Sequence, residues 1–195
     1  MRKCTRPLVL FLLILLAAAG GLAEQEPDLS ETQVLYGIAW GPVGGPYPGV
    51  ENPGQYVNVS LSEAGNGCAV LVPEELGGPA GVNQRGLKLW LDMDALMKLR
   101  LPVEQHLLQE DINYVLIEPV AIALIGEWVY GPITAFGDDF VELSVVYGSE
   151  EREETPVRIA ITDATAILWP LAVGGTYDVL YDEDDIALMI KVANG

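Results

Sequence analysis

Residues 157–167 read VRIAITDATAI, residues 175–181 read GTYDVLY and residues 186–192 read IALMIKV. Val157, Ile159 and Ile161 alternate with Arg158, Ala160 and Thr162, and Tyr177, Val179 and Tyr181 alternate with Asp178 and Leu180. Ile186, Leu188, Ile190 and Val192 form a third apolar face, opposite Ala187, Met189 and Lys191. Successive side chains of a strand point to opposite faces, so this period of two predicts three half-buried β-strands. The first continues through Ala166 to Trp169 after a kink at Asp163 and Ala164. Gly174-Gly175 and Asp182-Glu183-Asp184-Asp185 supply the turns between them.

Upstream, Phe140 to Tyr147 repeats the pattern, with Val141, Leu143, Val145 and Tyr147 on one face. Val120 to Trp128 reads as one long apolar strand with a bend at Gly126. Five or so short strands with a bent first strand predict a small closed or part-closed barrel. The run VAIALIG (120–126), taken with the three segments above, resembles an OB-type β-barrel of exported bacterial proteins. The resemblance covers residues 115–195 and consists of strands and glycines. Many barrels of that type bind nucleic acid through basic grooves and exposed aromatics. Here the segment offers only Arg152, Arg158 and Lys191 as basic residues, so the resemblance implies the fold and not that activity.

The first half is also β-rich. Val34 to Trp40 is apolar and β-compatible, and a Gly/Pro-rich loop follows over residues 41–54. From Gln55 to Leu61, Tyr56, Asn58 and Ser60 alternate with Val57, Val59 and Leu61. Gly65-Asn66-Gly67 is a turn signal, which pairs this strand with Cys68–Val72 as a hairpin. Residues 77–81 (GGPAG) read as a loop, and Leu87, Leu89 and Leu91 mark a further strand. Asp92 or Asp94 can cap a short helix over Ala95–Arg100, and Pro102 can open a second turn, placing a helical segment near 94–110. The stretch YPGVENPG (47–54) and the strand after it resemble secreted immunoglobulin-like modules of envelope proteins. The expected fold is mainly β: an N-terminal β-rich unit with a short helical segment over 34–114, then an OB-like small β-barrel over 115–195.

The N-terminus carries an address. Arg2, Lys3 and Arg6 precede an apolar run from Leu8 to Ala19, and small residues continue to Ala23. This order is that of a secretory signal peptide. Cleavage fits after Ala19 or after Ala23, and Ala23 is preferred because Glu24-Gln25-Glu26-Pro27 then opens a polar, flexible lead over 24–33. The apolar run falls short of the roughly 20 residues a spanning helix needs, so no stable membrane insertion is expected once the signal (1–23) is removed. An uncleaved anchor is the alternative. Cys4 precedes the apolar run, which argues against a lipid-bearing cysteine. The expected location is secreted or periplasmic.

The chain has 195 residues, with 10 Lys+Arg against 28 Asp+Glu. Three basic residues and no acidic ones lie in the signal, which leaves 7 − 28 = −21 for the chain from Glu24. A surface so acidic repels phosphate backbones and anionic membranes and favours a protein or basic peptide partner. Half the residues are apolar and four are Trp and eight Tyr, enough bulk for a core. Beyond the signal Cys68 is the one cysteine, so an intrachain disulfide is excluded.

Catalytic signatures are sparse. His106 is the single histidine, and Cys68 lies in a strand-like run rather than at a helix start, which disfavours a Cys68/His106 nucleophilic pair. No nucleophile elbow, phosphate loop or zincin helix occurs. Loop carboxylates suit calcium, a hard cation that takes several oxygens; Asp182, Glu183, Asp184, Asp185, Asp138 and Asp139 are the candidates. Asn58-Val59-Ser60 is an N-glycosylation sequon. The expected function is non-enzymatic binding or assembly in the cell envelope or extracellular space, without a cofactor. The alternatives are a calcium-binding β module or a small carboxylate-dependent hydrolase.

Overall fold

The computed structural model describes residues 28–43, 53–62, 67–100, 114–148 and 156–193. The signal segment, His106, the turn after Pro102 and the acidic stretch 150–154 lie outside them. The described chain is mainly β, built from two curled sheets and short helices.

The first sheet has the order β5-β3-β2-β1-β4-β6. Its strands are β1 (Gln33–Pro42), β2 (Tyr56–Leu61), β3 (Gly67–Leu71), β4 (Gly86–Leu91), β5 (Tyr114–Ile117) and β6 (Ala121–Leu124). Alternation sets one face: Leu35, Val57, Val59, Leu61, Cys68, Val70, Leu87, Leu89, Leu91, Val115 and Ile117 share one buried cluster. Helix α2 (Met93–Arg100) covers this cluster with Ala95, Leu96 and Leu99. Of the two candidate caps, Asp92 is the one used: its Oδ1 accepts the Ala95 N–H at 2.8 Å, satisfying a donor that the first helical turn leaves free. Lys98 and Arg100 sit in the last turn, where the helix dipole favours positive charge.

The second sheet has the order β10-β8-β7-β12-β13-β11, with β9 pairing β7. Its strands are β7 (Glu127–Phe136), β8 (Phe140–Leu143), β9 (Tyr147–Gly148), β10 (Val157–Ala160), β11 (Ala166–Ile167), β12 (Thr176–Tyr181) and β13 (Ala187–Val192). The long β7 pairs with β12 through Glu127–Pro132 and with β8 beyond Ile133. β10 pairs antiparallel with β8, and β11, after the expected kink, pairs parallel with β13. The kink is held by Thr165 Oγ1, which accepts the Thr162 N–H at 3.0 Å and donates to the Ala187 carbonyl at 2.7 Å. A parallel bridge from Ala160 to Ile186 brings the β10 side onto the β13 side. The circuit β7–β8–β10/β11–β13–β12–β7 is a five-stranded OB-like barrel. Val129, Ile133, Val141, Leu143, Ile159, Val179 and Ile190 fill it.

Three expectations are corrected. β5 and β6, assigned to the C-terminal barrel, hydrogen-bond at the two edges of the first sheet. Val120–Trp128 is accordingly two strands in two sheets, and the changeover falls at Gly126 rather than at 115. Gly126 has φ +62°, and a Cβ there would collide with the Tyr181 carbonyl oxygen; only glycine takes this corner without strain. The N-terminal unit is one curled sheet with a parallel β3–β5 pair, not the two packed antiparallel sheets of an immunoglobulin-like module. Finally, residues 77–81 are not a plain loop: α1 (Gly78–Val82) drops Val82 into the first core.

The sheets meet at a third cluster formed by Ile38, Trp128, Leu180 and Met189. This contact buries the outer face of β12 as well as the inner one.

Candidate functional site

The residues singled out in the sequence lie in two turns at one end of the barrel. Asp182–Asp185 form the β12–β13 turn, in which Asp182 Oδ1 accepts the N–H groups of Asp184 at 3.0 Å and Ile186 at 2.9 Å. Asp138 and Asp139 form the β7–β8 turn. The two turns dock on neighbouring residues of one strand: the Ala160 N–H donates to the Asp185 carbonyl and the Ile161 N–H to the Asp139 carbonyl, both at 2.8 Å. Among the described residues no three His, Cys, Asp or Glu side chains converge as a metal site would require. Cys68 is fully buried, and burial pushes its thiol up to about 12, far from the range of a nucleophilic thiolate. Asn58 lies within β2 with its Oδ1 buried and, among the described residues, unpartnered.

A different constellation forms where the sheets meet. One rung of backbone pairing crosses four strands of the second sheet: Tyr147 on β9 opposes Tyr130 on β7, Tyr130 opposes Asp178 on β12, and Asp178 opposes Lys191 on β13. From the first sheet, Trp40 on β1 and Ser60 on β2 complete a cleft of about 540 Å³. That volume falls in the roughly 300–1,000 Å³ range of small-molecule sites.

Its aromatic wall is fixed from behind. Trp40 and Trp128 meet edge-on with centroids 4.9 Å apart, and Trp128 and Tyr147 follow at 5.5 Å. Such offset ring contacts add to the burial they bring. The polar ends are taken up internally. Trp40 Nε1 donates to Ser60 Oγ at 2.8 Å, Trp128 Nε1 to the Gln84 carbonyl at 3.0 Å, and Tyr147 Oη to Gln84 Oε1 at 2.7 Å. Gln84 holds a left-handed φ of +55° to do this, while its N–H donates to the Ala39 carbonyl. A non-glycine residue in that region is strained, and such strain concentrates at functional sites. Trp40 and Tyr147 keep 39 % and 48 % of their surface exposed.

Asp178 is only 6 % exposed, and its Oδ1 has no hydrogen-bond donor among the described residues. Burial pushes this carboxyl up to about 6, against the opposing pull of the Lys191 ammonium. Burial likewise lowers Lys191, against the pull of Asp178. Strand alternation had placed these residues but not identified them as a site. Two signals were present: Lys191 is the single cation of an apolar strand, and Asp178 stands between two aromatic residues, Tyr177 at i−1 and Tyr181 at i+3.

No protein-family model matches the chain. No curated protein matches it either. A solved structure described as "drosophila Unr CSD456" aligns over 83 % of this chain and 62 % of its own length, at 14 % identity and a TM-score of 0.25; so loose a match carries no argument, and the OB-like description of the barrel rests on its strand circuit.

Proposed function

We propose that this chain is a non-enzymatic binding protein that works outside the cytoplasm and holds its ligand in the cleft between the sheets. The observation that carries the reading is the pair of exposed rings, Trp40 and Tyr147, whose polar ends are bound internally, set beside the opposed Asp178 and Lys191 in the lining of the same cleft. A charged pair at the base of a cleft is costly to leave without polar partners, and a ligand with hydroxyl groups supplies them. The Ser60 hydroxyl in the cleft is engaged by Trp40 Nε1, and the barrel is read as the OB type of exported bacterial proteins.

The signal-like N-terminus supports export, and the acidity of the processed chain favours a basic face on any protein partner. That acidity also disfavours nucleic acid as a partner; on the face of β8 and β10, where barrels of this type bind oligonucleotides, the basic residue Arg158, which lies over the Phe140 ring at 3.7 Å, is opposed in register by Glu142.

The test is retention of the secreted or envelope material of the source cell by the immobilised processed chain. Wild type and Trp40→Ala are compared. A defined component retained by wild type and lost with the variant supports the reading. Equal retention by both, or none by either, overturns it.

A further inference from the structure

We infer that the cleft takes a saccharide, a neutral sugar ring stacked on the aromatic wall with its hydroxyls directed at Asp178 and Lys191. The inference rests on the binding reading above and specifies its ligand class. The exposed rings are those of Trp40 and Tyr147, with Trp128 buried behind them; because the polar atoms of both exposed rings are bound within the protein, the wall presents ring surface and edges rather than donors. Its partner must therefore bring an apolar face.

The base of the cleft adds one acceptor and one donor of opposite charge, opposed in register on β12 and β13. That pairing discriminates among ligand classes. An anion meets the Asp178 carboxylate and an acidic surface. A free cation meets the Lys191 ammonium, which cancels much of the attraction of Asp178. A purely apolar ligand leaves both charged groups without partners. A pyranose satisfies each requirement: its C–H face lies on aromatic rings, and its hydroxyls both donate and accept. The cleft is large enough for a mono- or disaccharide.

The arrangement binds and does not hydrolyse. Glycoside hydrolysis uses two carboxyl groups flanking the bond, and Asp178 is the one carboxylate among the described residues that line the cleft.

The experiment titrates the processed chain with neutral oligosaccharides of glucose, N-acetylglucosamine, galactose and mannose, and in parallel with oligolysine and a sulfated oligosaccharide, reading tryptophan emission. At least one neutral sugar is expected to change the emission saturably. Trp40→Ala and Tyr147→Ala are expected to weaken that binding at least tenfold, with Trp40→Phe intermediate, while the melting curves of the variants certify their fold. Saturable binding of oligolysine or the sulfated sugar with no response to any neutral sugar overturns the inference, as does silence across the panel. If retention in the preceding test still depends on Trp40, only the saccharide assignment falls. If that retention fails as well, the binding reading falls with it.

Discussion

Asp178 gives the fold a pH-dependent contribution to stability. An aspartate in an unfolded chain titrates near 3.9, whereas burial holds this one near 6. Between these values the folded chain binds a proton that the unfolded chain has released, so stability falls as pH rises from about 4 through 6. Asp178→Asn stands in for the protonated group and removes that loss. Denaturant unfolding should find the variant more stable than wild type by about 2 kcal/mol at pH 7.5, with the gap closing at pH 4. A gap equal at both values contradicts the assignment. The residue itself was visible in the sequence, but its burial was not. The alternation of β12 reports the face that fills the barrel, through Tyr177, Val179 and Tyr181, whereas Leu180 and Asp178 are buried by a sheet more than a hundred residues upstream. No local pattern encodes that second contact.

At the scale of elements, hydrophobic alternation made most strands legible, along with the β2–β3 hairpin, the α2 cap and the bend at Gly126. It did not assign strands to sheets, because the period of two fixes which face is buried and leaves the pairing partner open. β5 and β6 went to the wrong sheet for that reason, since β5 pairs in parallel with β3 across a long crossover. In β13 an irregularity in register between Leu180 and Tyr181 of its partner shifts the pattern. Ala187, Met189 and Ile190 are the buried residues there in place of a strict every-second set. Gly126 is the element on which the changeover depends: Gly126→Ala adds a Cβ at φ +62° against the Tyr181 carbonyl oxygen. Thermal unfolding should show a loss of about 2 kcal/mol or more; a variant as stable as wild type would mean the corner is not tight. In the β12–β13 turn, Asp182 already accepts two backbone N–H groups. The melting midpoint is therefore expected to stay put on adding calcium or a chelator. A rise with calcium that the chelator reverses would place an ion among the acidic turns.

At the scale of the whole molecule, the site exists only where the curled sheet and the barrel meet. Trp40 comes from β1, Trp128 and Tyr130 from β7, Tyr147 from β9, Asp178 from β12 and Lys191 from β13. Gln84, just before β4, ties Trp128 and Tyr147 together from the opposite side. Contributions so dispersed carry no spacing signature, which is why the compact acidic turns drew attention in the sequence and the cleft did not. The four indoles now divide into two in the cleft, Trp40 and Trp128, and two outside its lining, Trp90 and Trp169. Their N–H resonances in a ¹⁵N-labelled processed chain report on the cleft directly, and the measurement is a titration with the same neutral oligosaccharide panel. The account predicts saturable shifts at the Trp40 and Trp128 indoles with Trp90 and Trp169 unmoved. Shifts confined to Trp90 or Trp169, or four unmoved resonances across the panel, would contradict it.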